Sequence, residues 1–253
     1  FDLTGQVALL TGASKGMGKS MAMALAEHGS KVVVSSRKLD QCEETATEIN
    51  SACGEERAIA IACIIGYKEQ LQSLVDETRE RLGPIDTLIA NAGVNPFYGS
   101  MTDIPEEAFD KTMNSNLRSN HWLCQMVAPD MLAKGKGSIM ITASVGAFGP
   151  SDTLGTYNIS KMADIALVRN LALDWGPKGV RVNALCPGLI KTDFAKALWD
   201  NPEAAQRVTE STPLRRFGES DDFKGIAVFV ASDASAYVTG QALTVCGGTH
   251  MFR

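Results

Sequence analysis

The sequence predicts one doubly wound α/β domain, with a parallel sheet of about seven strands covered on both faces by helices. Three observations carry that reading. Short runs rich in β-branched residues alternate with amphipathic stretches from end to end. The runs are apolar at consecutive positions, so both of their faces are buried. No linker, repeat or low-complexity tract divides the 253 residues, a length that buries a large core.

The elements follow in order. VALLT (7–11) is the first expected strand, and GKSMAMALAEHG (18–29) the first helical pattern. KVVVSS (31–36) and AIAIAC (58–63) read as strands, EQLQSLVDETRERLG (69–83) as a helix and DTLIAN (86–91) as the fourth strand. GSIMITAS (137–144), the helical ISKMADIALVRNLALDWG (159–176), and the strands VRVNALC (180–186) and ALTVC (242–246) complete the set. Gly29, Gly83 and Gly176 stand where helices are expected to end.

Composition narrows the function. A net charge of −5 and a pI near 5.3 argue against a nucleic-acid or anionic-membrane surface. No basic leader and no apolar run of membrane-spanning length is found, and the expectation is a cytoplasmic chain without a membrane partner. Cys42, Cys53, Cys63, Cys124, Cys186 and Cys246 form no CxxC pair and are expected as reduced thiols. His28, His121 and His250 lie far apart without metal-ligand spacing, so no metal site is expected, nor a hydrolase motif.

The segment VALLTGASKGMGKSMAMALAEHG sets Gly12, Gly16 and Gly18 between a strand and a helix in the first βαβ unit. That is the setting of a dinucleotide fingerprint. Gly12 allows the tight turn, while Gly16 and Gly18 let a pyrophosphate approach the helix N-terminus. The spacing is TGxxxGxG, not GxGxxG. Further along come Asn91-Ala92-Gly93, Asn116 in MNSNLRS, Ser144 at the end of the fifth strand, Tyr157-x-x-x-Lys161, Pro187-Gly188 and Thr192.

In that order and spacing, over essentially the whole chain, these motifs resemble the short-chain dehydrogenase/reductase family, which has a Rossmann-type fold. VVVSSRK and NPFYG are similar to its NADP-dependent carbonyl and retinal reductases. The resemblance implies a cofactor site of Gly12, Ser14, Lys15, Gly16, Met17, Gly18, Ser36, Arg37, Asn91, Ala92, Gly93, Tyr157, Lys161, Pro187, Gly188, Ile190 and Thr192. It implies NADP(H) in particular. Ser36 stands where NAD-dependent sheets carry an acidic residue, and Arg37 and Lys15 are basic partners for a 2′-phosphate. One departure is Ile64, which stands where the family often has an adenine-contacting Asp.

The resemblance also implies a catalytic set of Asn116, Ser144, Tyr157 and Lys161. Free tyrosine has a pKa near ~10 and is a weak acid at neutral pH. Lys161, at i+4 on the same helix face, supplies a charge that favours phenolate. Tyr157 is then the proton donor in reduction, Ser144 polarises the carbonyl oxygen, and Asn116 holds a water that links Lys161 to solvent. Asn114, two residues earlier, leaves the register of that asparagine slightly open.

Residues 189–218 are expected to form a substrate lid, contributing Leu189, Phe194, Leu198 and Trp199. Val94, Asn95, Phe97, Val145, Phe148 and Leu154 come from neighbouring loops. The set is mostly apolar, which points to an uncharged ketone or aldehyde, or the matching alcohol. A 3-oxoacyl-carrier-protein reductase is the alternative, although Gly135 and Leu173 stand where that group presents basic residues. A nucleotide-sensing protein without turnover is the alternative from another class. Stretches 106–134 and 155–176 carry extra apolar residues, and the family's matching helices imply a homotetramer.

Overall fold

The computed structural model describes residues 1–192 and 199–251. Seven strands form one parallel sheet: β1 (Val7–Thr11), β2 (Lys31–Ser36), β3 (Ala58–Ala62), β4 (Thr87–Ala90), β5 (Gly137–Thr142), β6 (Val180–Pro187) and β7 (Ala242–Val245). Their order is β3-β2-β1-β4-β5-β6-β7, so the chain reverses direction across the sheet between β1 and β4. A crevice opens above the carboxyl ends of the strands at such a switch point.

Alternation along each strand builds two cores. Leu9 pairs in register with Val33 and Leu88, and these point to the face covered by α3 (Lys68–Leu82), α5 (Ser119–Lys134) and α6 (Gly155–Trp175). Leu10, beside Val34 and Ile89, points to the other face. That face is covered by α1 (Gly16–Glu27), α2 (Leu39–Cys53) and a helix near the C-terminus, Lys224–Ala231. Burying a Leu or Val of this kind contributes about 1.5–3 kcal/mol, and both layers carry many of them. Among the described residues two shorter helices remain, α4 (Glu106–Met113) and α7 (Pro202–Ser211), and Lys224–Ala231 is α8.

Most boundaries lie within one or two residues of the sequence reading, and three differences bear on the site. β5 ends at Thr142, so Ser144 stands two residues beyond the strand; its hydroxyl accepts the Gly146 N–H at 3.1 Å and caps a 3-10 turn (Val145–Phe148). Hydroxyl capping competes with ladder pairing and ends the strand early. α6 begins at Gly155, four residues before the expected start, which places Tyr157 inside the helix. Gly176 does close α6, but with helical φ of −54°, and the left-handed residue is Gly179, after a short 3-10 turn. Gly29 and Gly83 do carry positive φ at the ends of α1 and α3.

Candidate active site

The carboxyl ends of β1, β4 and β5 are tied together by polar side chains. Asn91, just past β4, donates from Nδ2 to the carbonyls of Gly12 and Thr11 at 3.1 and 3.3 Å. Its Oδ1 accepts from the Thr142 hydroxyl at 3.2 Å. The Thr11 hydroxyl accepts the N–H groups of Asn91 and Ala92 at 3.1 and 3.2 Å. The structure therefore gives Asn91 a structural role that its motif alone does not reveal: it fixes the glycine loop against the sheet.

That loop fits a dinucleotide. Gly12 and Gly16 have φ of +63° and +58°, a region unfavourable for side chains. A Cβ at Gly18 would lie 2.2 Å from the Gly12 carbonyl oxygen, so the first turn of α1 packs directly on the loop backbone. Lys15 occupies the N-cap position and makes no side-chain cap, which leaves the first amides of α1 to a bound anion. Ser14 is held through its carbonyl, which accepts from Thr45 at 2.9 Å, and Met17 packs against the core beneath. At the end of β2, Ser36 shares a hydrogen bond with the Cys42 thiol at 3.1 Å, and Arg37 and Lys15 are exposed. Ile64 is nearly half exposed and presents no carboxylate; its N–H donates to Gln70 Oε1 at 2.7 Å and its carbonyl accepts from the Tyr67 N–H at 3.1 Å.

On the other side of the crevice lies a buried polar cluster. Between α4 and α5 the helix widens into a π-turn at Asn114–Arg118, and this turn carries Asn116, which is fully buried. Such widened turns re-aim side chains. Asn116 Oδ1 accepts the Val94 N–H at 2.8 Å, while Nδ2 donates to the Val94 carbonyl at 2.9 Å and to Ser160 Oγ at 3.0 Å. Asn114 points elsewhere, donating to the Gly66 carbonyl at 3.0 Å. This separates the two asparagines that the sequence leaves in similar register.

Tyr157, Lys161 and Ser160 come from the first two turns of α6. Lys161 is buried and its Nζ donates to the Thr142 carbonyl at 2.7 Å and to Asp164 Oδ2 at 3.1 Å. The same nitrogen lies 5.9 Å from the centre of the half-buried Tyr157 ring. It also lies 3.6 Å from where a Cβ on Gly93 would stand, at ordinary contact distance, so the Gly93 backbone passes directly beside it. Asn120 donates to Asp164 Oδ1 at 3.0 Å and to the Asn116 carbonyl. Burial pushes Asp164 above the usual carboxylate range, against the pull of the Lys161 ammonium and these hydrogen bonds. Burial likewise raises the nearby Cys186 thiol to about 12.

Thr11, Thr142, Asn120, Ser160 and Asp164 are residues that sequence reasoning missed. Only Asp164 carried a signal, an acid in the otherwise apolar run MADIALV, three residues after Lys161.

Pro187 ends β6 and is buried, and Gly188 donates its N–H to the Val245 carbonyl at 3.0 Å, with no room for a Cβ beside Cys246. Ile190 forms an isolated bridge with Gly218, which clamps the two ends of the intervening segment together. Thr192 sits over the glycine loop, its methyl 3.5 Å from a Cβ position on Gly16, and its carbonyl accepts from Trp199 Nε1 at 2.9 Å. Phe194 and Leu198 lie outside the described residues. Near Ser144, Phe148 stacks on His250 with ring centres 4.5 Å apart, so the C-terminal segment reaches the same crevice. Among the described residues there is no group of potential metal ligands, and no helix is long and apolar enough to cross a membrane.

A family model described as Enoyl-(Acyl carrier protein) reductase matches residues 12–250. Human dehydrogenase/reductase SDR family member 4 is 39% identical over 248 residues, covering 98% of this chain and 88% of the relative. The chain belongs to the short-chain dehydrogenase/reductase family. Two solved members of the family lie close in structure. A 7α-hydroxysteroid dehydrogenase, complexed with NADH and 7-oxo glycochenodeoxycholic acid, superposes with a TM-score of 0.93 at 37% identity, covering 98% of this chain and 95% of that one. A gluconate 5-dehydrogenase from Burkholderia cenocepacia J2315, in complex with NADP and tartrate, gives 0.92 at 31% identity, covering 98% and 96%. The chain is thus an oxidoreductase of a short-chain family that binds a nicotinamide cofactor and acts on small molecules.

Proposed function

We propose that this short-chain dehydrogenase/reductase is an NADP(H)-dependent carbonyl reductase, interconverting an uncharged ketone or aldehyde with its alcohol. The observation that carries the reading is the placement of the Lys161 ammonium beside the Tyr157 ring, with both on one face of α6 at the mouth of the crevice. Bound NADPH supplies the hydride; the chain's own residues hold the cofactor and manage the proton. Gly12, Gly16, Gly18 and the first turn of α1 receive the pyrophosphate, and Lys161 reaches the nicotinamide ribose. Pro187, Gly188, Ile190 and Thr192 line its nicotinamide end, with Asn91, Ala92 and Gly93 forming the floor. Tyr157 gives its proton to the carbonyl oxygen, which Ser144 holds as a neutral donor.

The choice of NADP rests on the rim. β2 ends in Ser36 with Arg37 beside it, and Lys15 stands at the head of α1, so a 2′-phosphate meets two cations and no carboxylate from the strand end. The relatives differ on this point, one solved neighbour holding NADP and another NADH. An apolar substrate fits Val94, Phe97, Val145, Phe148 and Leu189 around the crevice, and residues 189–218 serve as its lid. An acyl-carrier-protein substrate fits less well, because Gly135 and the exposed Leu173 offer no charge to an acidic carrier. Exposed Phe109, Ile159 and Met162 on α4 and α6 support a homotetramer, and the acidic chain acts in the cytoplasm. Light scattering after size exclusion tests the assembly.

The reading is tested by following NADPH consumption over a panel of uncharged ketones, with NADH in parallel. Turnover with NADPH on several members supports it. Tight NADPH binding with no turnover on any carbonyl would favour a nucleotide-sensing protein instead.

A further inference from the structure

α6 carries Tyr157, Lys161 and Asp164 at i, i+4 and i+7, successive positions along one helix face. The roles given so far use the first two and leave the third idle, although it is fully buried. Its carboxylate is not an accident of packing. Oδ2 accepts from the Lys161 ammonium at 3.1 Å, and Oδ1 accepts from Asn120 on α5 at 3.0 Å. Replacing one partner of a buried ion pair strands the other charge, so the state of Asp164 is tied to that of the Lys161 ammonium.

The other titratable groups around it are few. Lys161 and Tyr157 share its helix, Cys124 faces it from α5, and Cys186 faces it from β6. Burial pushes both thiols up, so they stay neutral near physiological pH. Among these groups Lys161 is the cation and Asp164 the counter-charge.

We propose that Asp164 is a positioning residue that sets the working direction of the site, by offsetting the Lys161 charge that Tyr157 experiences. An uncompensated ammonium beside a phenol stabilises phenolate, the form that removes a proton from an alcohol. A carboxylate fixed to the same ammonium opposes that pull and retains the phenol, the form that donates. Together with the Thr142 carbonyl, Asp164 also fixes two of the three ammonium hydrogens, so the lysine cannot swing closer to the ring. The reaction so favoured is reduction. The carbonyl carbon takes the hydride with its electron pair, the oxygen takes the Tyr157 proton, and the phenolate left behind regains a proton from water.

This inference rests on the assignment of Tyr157 and Lys161 above, and its test needs neither substrate nor cofactor. Ultraviolet titration of tyrosinate in the protein, with the same titration of Tyr157→Phe subtracted, isolates the Tyr157 step. Asp164→Asn, which keeps the size and one of the two acceptors but removes the charge, is expected to move that step down by about one pH unit. Asn120→Ala, which removes a donor that favours the ionised carboxylate, moves it in the same direction by less. Thermal melts identify the folded variants. A step that stays in place in a folded variant overturns the proposal even if ketones are reduced. A downward step supports it even if the ketone panel is silent. Where turnover is measurable, the ratio of maximal oxidation to maximal reduction rates, each at saturating substrate and cofactor at neutral pH, should rise roughly tenfold in Asp164→Asn, matching one unit more phenolate.

Discussion

Two regions flank the crevice and are built in opposite ways. Around Asn116, Lys161 and Asp164, each polar atom is held by named partners at 2.7–3.1 Å, and the residues are buried. At the rim formed by the end of β2 and the head of α1, Arg37 and Lys15 stand on the surface, and the Ser36 hydroxyl shares a hydrogen bond with the Cys42 thiol. The first region fixes atoms, as proton transfer demands, because a misplacement of an ångström costs rate. The second supplies charge to a flexible polyanion, for which exposed side chains suffice. Changes in the first region should therefore affect turnover and stability, whereas changes in the second should affect only cofactor choice.

The largest expected effect is in the buried region. Tyr157→Phe should lower turnover by roughly 10²–10⁴-fold, with NADPH affinity unchanged, as read by cofactor fluorescence alongside steady-state rates. Next comes Asn116→Ala, which strands both backbone groups of Val94 and removes the donor to the Ser160 hydroxyl. Urea unfolding should show a loss of roughly 2–4 kcal/mol. On the rim, Arg37→Ala should weaken NADPH binding by roughly 10–100-fold and leave NADH binding and the melting temperature alone, as titration of each cofactor would show. A drop in melting temperature there would break the contrast between the two regions.

The smallest effect is a control outside both. Asp222 lies on the surface, where hydrogen bonds from Arg216 hold its carboxyl down to about 2. Its folded pKa lies below the unfolded value near ~3.9, so its stabilisation is present above that value and fades as pH falls toward 2. Asp222→Asn should cost little near neutrality, and its melting curve should merge with the wild-type curve in strong acid.

Much of this contrast was readable before the structure. The strands lie within two residues of the expected bounds because each is a short β-branched run between glycines and polar turns. The glycine loop, Tyr157 and Lys161 were legible from their spacing. What the sequence hid are the residues whose role depends on long-range contact. Thr11 and Thr142 look like ordinary strand residues until β1, β4 and β5 meet beneath Asn91. Asn120 and Asp164 lie 44 positions apart and become a pair only when α5 packs on α6. The π-turn that turns Asn116 inward, and Asn114 away, likewise has no local signature. Ser144 was displaced from its strand because a hydroxyl that caps a turn cannot be told in advance from one that ends a strand.

The claim that matters most is that Tyr157, set beside Lys161, carries the proton of an NADPH-dependent carbonyl reduction. The direct test is a side-by-side measurement of NADPH consumption by the wild-type protein and Tyr157→Phe on a ketone the wild type reduces. Steady consumption by the wild type and near-silence from the variant are expected, with equal NADPH binding. Wild-type turnover in Tyr157→Phe would contradict that claim.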